Sequence, residues 1–152
     1  MLLFCASSEM SKTRGGNVTY RETVKLIRSR NLKILIIDDE DGYRASMKAL
    51  LETIFKAKVD DVESGAAGIA KIQDGNNYDV IFLDLMMPAM NGNETRSALL
   101  KVSAGLFIAF MSAYSDSQEW QIAKNSGVPL LSKPLQRDDL MKVLTQAGDV
   151  AL

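Results

Sequence analysis

The chain has 152 residues, of which 47% are hydrophobic and 24% are charged, and its formal net charge is −1. This composition is typical of one globular domain with a short appendage, and the near-neutral charge argues against a bulk binder of nucleic acid or of anionic membranes. Because it has no histidine and a single cysteine, Cys5, the chain lacks the usual Cys/His zinc site, an internal disulfide and a histidine general base. Any chemistry must therefore use carboxylates, lysine and hydroxyl groups.

The first six residues are apolar, but the run is too short for a secretory leader and no basic residue precedes it. No stretch of the chain reaches the roughly 18 consecutive apolar residues of a membrane-spanning helix. We therefore expect a cytoplasmic protein without a membrane span.

Charge is distributed unevenly along the chain. Residues 1–33 contain seven basic and two acidic residues, a net charge of +5, whereas the remainder carries −6. This asymmetry divides the chain into a basic N-terminal extension, residues 1–30, and an acidic domain, residues 31–152.

The end of the extension has the pattern of a short helix, at residues 19–30. Thr19 and Glu22 have capping-box spacing. The apolar residues recur at i, i+4 and i+7, at Tyr20, Val24 and Ile27. A mobile leader, a linker and a dimerising helix are alternative roles for this segment.

Beyond the extension, five apolar runs alternate with segments of helical periodicity. The runs are continuous, as expected for strands that are buried on both faces. We predict strands at 34–37, near 58–60, and at 80–83, 106–111 and 128–131.

Five helices follow these strands. Ser64 is the predicted cap of the second, which Gly75 ends, and the Ser115-x-x-Gln118 spacing predicts a capping box at the start of the fourth, which ends at Gly127. The apolar residues of the first two helices are Met47, Leu50, Leu51 and Ile54, and then Ile69, Ala70 and Ile72. The residues predicted to face inward are Thr95, Ala98, Leu99 and Val102 on the third helix, and Leu140, Val143, Leu144 and Ala147 on the last.

Strict alternation of strand and helix predicts an α/β domain with a doubly wound parallel sheet. We expect the flavodoxin-like form, with five strands in the order 2-1-3-4-5 and helices on both faces. In such sheets the functional groups lie just beyond the carboxyl ends of the strands.

Polar side chains stand at four of these strand ends, and in the predicted order the four ends are neighbours. They are Asp38-Asp39-Glu40-Asp41, Asp84, Ser112 and Lys133-Pro134. Singly, each is an ordinary helix cap, turn hydroxyl or surface lysine. Together they predict one crevice in which carboxylates meet a hydroxyl and an ammonium group.

Closely packed carboxylates repel one another unless a cation neutralises them. An all-oxygen site with room for water suits Mg²⁺ together with a phosphoryl ligand. We expect one carboxylate to act as the nucleophile, with Lys133 and Ser112 contacting the phosphoryl oxygens. The acidic first turn is neither a G-x-G-x-x-G loop nor a P-loop, which argues against dinucleotide, flavin and nucleoside triphosphate sites.

These residues resemble the receiver domain of two-component response regulators, the CheY-like family, over roughly residues 32–148. The most specific part is the D-x-x-M-P-x-x-x-G pattern from Asp84 to Gly92. The segments that carry the resemblance are Lys33-Ile34-Leu35-Ile36-Ile37-Asp38-Asp39-Glu40, Asp79 to Gly92, Met111-Ser112-Ala113 and Ser132-Lys133-Pro134.

The resemblance implies that Asp84 accepts a phosphoryl group from a phosphohistidine on a histidine kinase or histidine phosphotransfer protein. Asp39, Asp84 and the backbone carbonyl of Met86 would bind Mg²⁺ directly, and Asp38 would bind it through water. The resemblance also implies that Lys133 contacts the phosphoryl group, that the peptide before Pro134 is cis, and that Ser112 reports phosphorylation. Such a domain is not an enzyme in the usual sense, since it catalyses only its own phosphorylation and dephosphorylation.

Three positions are predicted to tune this switch. Leu130 stands where many receivers carry Tyr or Phe as the partner of the hydroxyl switch, which puts the coupling from Ser112 to the output surface in question. Met86 and Tyr114 follow Asp84 and Ser112 by two positions, and their size suggests slow loss of the phosphoryl group.

Two other functions fit parts of the pattern. A phosphatase of the haloacid dehalogenase type would carry a second carboxylate two residues after its nucleophile, where this chain has Met86. A pseudo-receiver that binds proteins independently of phosphorylation is the main alternative. Because the chain ends at Leu152, we expect no DNA-binding or enzymatic output within it, and instead a downstream protein target, with a homodimer or a place in a larger hybrid protein as further alternatives.

Overall fold

A computed structural model describes residues 18–150, and side chains up to residue 147. Five strands and six helices form in this part of the chain. The strands are β1 (Lys33–Ile37), β2 (Lys58–Val62), β3 (Val80–Asp84), β4 (Ile108–Ser112) and β5 (Leu130–Ser132). The helices are α1 (Tyr20–Ser29), α2 (Asp41–Phe55), α3 (Gly65–Gln73), α4 (Gly92–Val102), α5 (Gln118–Asn125) and α6 (Arg137–Val150).

All five strands are parallel and lie in the order β2-β1-β3-β4-β5. This confirms the predicted doubly wound fold. The continuous apolar runs are explained by burial, since every residue of β3 and β4 is buried. The strand bounds differ from the predicted ones by up to two residues, and half-buried residues such as Phe107 and Val128 precede β4 and β5.

The sheet separates two hydrophobic cores, as expected for helices on both faces. On one face, α1, α2 and α6 pack against the alternate strand residues that include Ile34 and Phe82. On the other face, α3, α4 and α5 cover the intervening residues, which include Leu35 and Leu83.

Helix α1 is part of the first core. Its capping box joins Thr19 and Glu22, and Val24 and Ile27 are buried against α2 and α6. Residues 1–17 of the predicted basic extension lie outside the described residues, and the division of the chain near residue 31 stays a prediction. None of the helices within residues 18–150 combines the length and apolar character needed to cross a membrane.

Two details of the sequence prediction are wrong. Val102, predicted to face inward on α4, is 41% exposed because it is the last residue of the helix, beyond the covered turn. The cap of α5 is Ser117, whose side chain accepts a hydrogen bond from the Trp120 N–H, so Ser115 lies before the helix rather than at its start.

Candidate functional site

The polar residues of four strand ends meet at one edge of the sheet. Asp38 follows β1, Asp84 ends β3, Ser112 ends β4 and Lys133 follows β5. The strand register places these ends side by side, since Ile37 of β1 pairs with Leu83 of β3, Asp84 of β3 with Met111 of β4, and Ser112 of β4 with Ser132 of β5. The structure thus brings together the residues that the sequence places at separate positions.

Three carboxylates form the acidic part of the site. Asp38, Asp39 and Asp84 each offer an oxygen, and these oxygens lie within 4.8 Å of one another. Asp38 and Asp84 are 0% and 3% exposed. Burial, followed by the charge of Asp38, raises the pKa of Asp84 to about 7, against the opposing effects of Lys133 and of the Met86 N–H. The cluster therefore has a deficit of positive charge that a cation would correct.

Backbone hydrogen bonds orient the two buried carboxylates. The Glu40 N–H donates to Oδ1 of Asp38 at 2.9 Å, and the Met86 N–H donates to Oδ1 of Asp84 at 3.3 Å. The guanidinium of Arg44 donates to the carbonyl of Asp38 at 2.7 Å and so supports the turn after β1. In each carboxylate, Oδ2 is left to face the cationic side of the site.

The cationic side of the site is formed by the ammonium group of Lys133. Its Nζ lies 2.5 Å from Oδ2 of Asp38 and 3.5 Å from Oδ2 of Asp84, and its side chain is 10% exposed. The peptide bond to Pro134 is cis, as the family resemblance implied. The Lys133 N–H donates to the carbonyl of Ser112 at 2.8 Å, which ties the segment after β5 to the end of β4.

Ser112 is buried, and its hydroxyl accepts a hydrogen bond from the Tyr114 N–H at 3.0 Å. Tyr114 and Met86 follow the site residues whose side chains accept from their N–H groups, and their own side chains are 59% and 37% exposed rather than buried in the site, so we call them rim residues. Leu130 is half-buried in β5, where it pairs with Phe110 of β4. The roles predicted for these residues stay predictions.

Two contributors to the site were not found from the sequence. The face of the Tyr43 ring packs against the ammonium group of Lys133, with Nζ 4.2 Å from the ring centroid. Arg44 bridges Asp41 and Asp61 as well as the carbonyl of Asp38. The i, i+3 spacing of Asp41 and Arg44 is a signal that predicts their ion pair. No local pattern pairs Tyr43 with Lys133.

The chain matches a family model described as the response regulator receiver domain over residues 34–145. It is 32% identical over 117 residues to the nitrate/nitrite response regulator protein NarL of Escherichia coli K12, covering 76% of this chain and 54% of that protein. It is 30% identical over 124 residues to the hybrid signal transduction histidine kinase L of Dictyostelium discoideum, covering 76% of this chain and 7% of that protein. The chain therefore spans about half or less of these two relatives.

A shorter relative is matched along almost its whole length. Chemotaxis protein CheY of Halobacterium salinarum is 23% identical over 114 residues, covering 74% of this chain and 93% of that protein. Among solved structures, the Francisella response regulator 1452 receiver domain has a TM-score of 0.68 at 28% identity, covering 80% of this chain and all of that one. A receiver domain from Clostridium thermocellum has a TM-score of 0.70 at 27% identity, covering 78% and 94%.

Proposed function

The chain belongs to the family of response regulator receiver domains, and on this premise we propose that it accepts a phosphoryl group on Asp84 from a partner phosphohistidine, with Mg²⁺ as cofactor. The observation that carries the proposal is the pairing of a three-carboxylate cluster with the buried ammonium of Lys133. This arrangement supports the proposal, because it brings together a candidate nucleophile, oxygen ligands suited to a metal ion and a counter-charge for phosphoryl oxygens.

The residues present fit Mg²⁺. Its preferred ligands are oxygens, it takes one or two carboxylates, and it keeps water for a phosphate ligand. Asp39 and Asp84 would bind it directly together with the backbone carbonyl of Met86, and Asp38 through water. When bound, the ion would neutralise charge on the carboxylates and on the transferring phosphoryl group.

In the proposed transfer, a carboxylate oxygen of Asp84 attacks phosphorus. The new O–P bond forms as the P–N bond to the donor imidazole breaks, and that electron pair leaves with the imidazole nitrogen. Lys133 then exchanges its contacts with the carboxylates for contacts with the phosphoryl oxygens, and Ser112 donates a hydrogen bond to one of them. Because this chain has no histidine, the donor must lie on another protein or domain.

The donor would be a histidine kinase or a histidine phosphotransfer protein, and the phosphorylated domain would change its contacts with a downstream protein. We place this exchange in the cytoplasm. No bound substrate other than the phosphoryl group is required, so the turnover is limited to the domain's own phosphorylation and dephosphorylation.

Intact mass after incubation with acetyl phosphate and Mg²⁺ tests the proposal. We expect one added phosphoryl group on the wild type, and none on Asp84→Asn or without metal. Asp74→Asn is the matched control, because Asp74 is an exposed residue at the end of α3, and it should behave as the wild type.

Metal binding is measured separately, by titrating Mg²⁺ into the wild type and into Asp39→Asn and Asp84→Asn. We expect weaker binding in both variants. If the wild type neither gains a phosphoryl group nor binds Mg²⁺, the proposal is wrong and the domain is a pseudo-receiver that binds proteins constitutively.

A further inference from the structure

The aromatic ring of Tyr43 forms the third wall around the ammonium group of Lys133. Tyr43 lies in the first turn of α2, and its ring centroid is 4.2 Å from Nζ of Lys133. The other two walls are the carboxylates of Asp38 and Asp84. The lysine side chain is 10% exposed, so water does little to weaken these contacts.

The ring of Tyr43 differs from the two carboxylates in how its attraction to Lys133 responds to chemical change at the site. The attraction of Lys133 to Asp38 and Asp84 changes whenever either carboxylate binds a metal, takes a proton or becomes phosphorylated. The attraction to the face of a neutral aromatic ring does not depend on those events. The ring therefore holds the ammonium in place during the step in which its ionic partners change.

The ring also packs against the core that includes the segment after the lysine. Leu135, two residues after Lys133, is buried in the first hydrophobic core, against which Tyr43 packs. Burial, together with the charge of Asp38, raises the pKa of Tyr43 above its usual range, so the hydroxyl stays neutral and the ring carries no charge that would change this contact.

We propose that Tyr43 is a positioning residue for phosphoryl transfer, whose ring holds the ammonium of Lys133 where the phosphoryl oxygens of Asp84 will lie. This inference rests on the proposed function and deepens it. Lysine has a flexible four-carbon stem, and without the ring its ammonium would sample other positions. Placement of a catalytic group is a direct contribution to rate.

Three variants separate the ring from the hydroxyl and from general packing. Tyr43→Phe keeps the ring and removes the hydroxyl, whereas Tyr43→Leu removes the ring. Tyr43→Met is a second ring-less variant, to be used if the leucine protein does not fold. Tyr78→Leu is the matched control, because Tyr78 is a buried tyrosine whose ring lies 5.0 Å from the ammonium of a different lysine, Lys33.

The first readout is the initial rate of phosphorylation as a function of acetyl phosphate concentration at saturating Mg²⁺. We expect the maximal rate of Tyr43→Leu to fall by roughly 3- to 30-fold, the range that corresponds to a desolvated cation–π contact. Tyr43→Phe should restore the rate. Tyr78→Leu should lower the stability of the fold and leave the maximal rate of the folded protein unchanged.

The second readout does not depend on phosphorylation. The Cε protons of Lys133 should show an upfield ring-current shift in NMR spectra of the wild type and of Tyr43→Phe, and lose it in Tyr43→Leu. A normal rate in Tyr43→Leu, with the wild type phosphorylated, would overturn the positioning role alone, and so would the absence of the ring-current shift. Absence of phosphorylation in the wild type would overturn both this role and the proposed function.

Discussion

Nζ of Lys133 lies 2.5 Å from Oδ2 of Asp38, a carboxylate with no solvent exposure. Breaking a buried ion pair by removing one partner is costly, because the other charge stays buried without compensation. Here the cost is increased by Asp84, which loses the same cation. The lysine proposed to contact the phosphoryl group is therefore also a structural counter-charge.

We expect Lys133→Met to lower the free energy of unfolding by about 3 kcal/mol at pH 8 without metal. Urea denaturation measures this change. Adding Asp38→Asn to Lys133→Met should restore about half of the loss, since it removes one of the two uncompensated charges. Lys124→Met, at an exposed position on α5, should stay within about 0.5 kcal/mol of the wild type. Equal losses in Lys133→Met and in the double variant would contradict the counter-charge role.

The raised pKa of Asp84 predicts a specific pH dependence of stability without metal. The pKa is about 7 in the folded protein and 3.8 for an unperturbed aspartate. Between these values the folded state binds more protons than the unfolded state, so stability falls as pH rises through this window. Asn at this position cannot ionise and does not show this loss.

We therefore expect Asp84→Asn to match the wild type in free energy of unfolding near pH 4 and to exceed it by about 2 to 4 kcal/mol at pH 8. Urea denaturation in EDTA across this range measures the difference. Added Mg²⁺ should narrow it, because metal binding stabilises only the wild type. Asp74→Asn should show no such trend, and a constant difference between Asp84→Asn and the wild type would contradict the prediction.

The parts of the fold that could be predicted are those governed by local pattern. β1, β3 and β4 each contain a continuous apolar run of four residues because both of their faces are covered, and this signal needs no long-range information. β2 gives a weaker signal, since it is an edge strand that carries the half-buried Asp60 and Asp61. Ends of elements were less predictable, because Ser115 and Ser117 have equally good capping chemistry and only tertiary packing selects one.

The part of the site that could be predicted from the sequence is the part that sheet topology determines. Parallel strands in this order place four residues at one edge of the sheet, independently of side-chain conformation: Asp38, Asp84, Ser112 and Lys133. The contact of Tyr43 with Lys133 depends instead on how the first turn of α2 packs on the segment after β5, which no spacing in the sequence encodes. The burial that raises the pKa of Asp84 is likewise a property of the packed structure.

The two rim residues, Met86 and Tyr114, lead us to expect that the phosphoryl group on Asp84 is lost slowly. Met86 and Tyr114 are large, exposed residues two positions after Asp84 and Ser112, and we expect them to restrict the approach of water to phosphorylated Asp84. We expect Met86→Asn and Tyr114→Ala to speed dephosphorylation by roughly 2- to 10-fold each, a cost of about 0.4 to 1.4 kcal/mol in barrier height. The decay of the phosphorylated mass after removal of acetyl phosphate measures this. Ile122→Ala, an exposed apolar position on α5, is the control, and unchanged lifetimes in both rim variants would remove the idea.

Gly92, the last residue of the D-x-x-M-P-x-x-x-G pattern, is required by close backbone contact. A Cβ at this position would lie 2.6 Å from the carbonyl oxygen of Asp84 and 2.7 Å from Cα of Leu85. Both are backbone atoms, one in the last residue of β3 and one in the residue after it, and the Gly92 N–H donates to the carbonyl of Leu85 at 2.9 Å, which holds the two segments together. Relief of the clash must therefore move the segment that carries the phosphoacceptor.

We expect Gly92→Ala to lower the free energy of unfolding by about 2 to 3 kcal/mol, in the range of overpacked cores, and to slow phosphorylation of Asp84 in the protein that remains folded. Gly42→Ala is the matched control, since a Cβ at Gly42 meets no atom within 4 Å and the residue lies in α2. That variant should be more stable by up to about 1 kcal/mol, because alanine is the better helix former. Urea denaturation of both variants measures the difference. Equal effects would mean that the protein accommodates a Cβ at Gly92 at no cost, which would contradict the prediction.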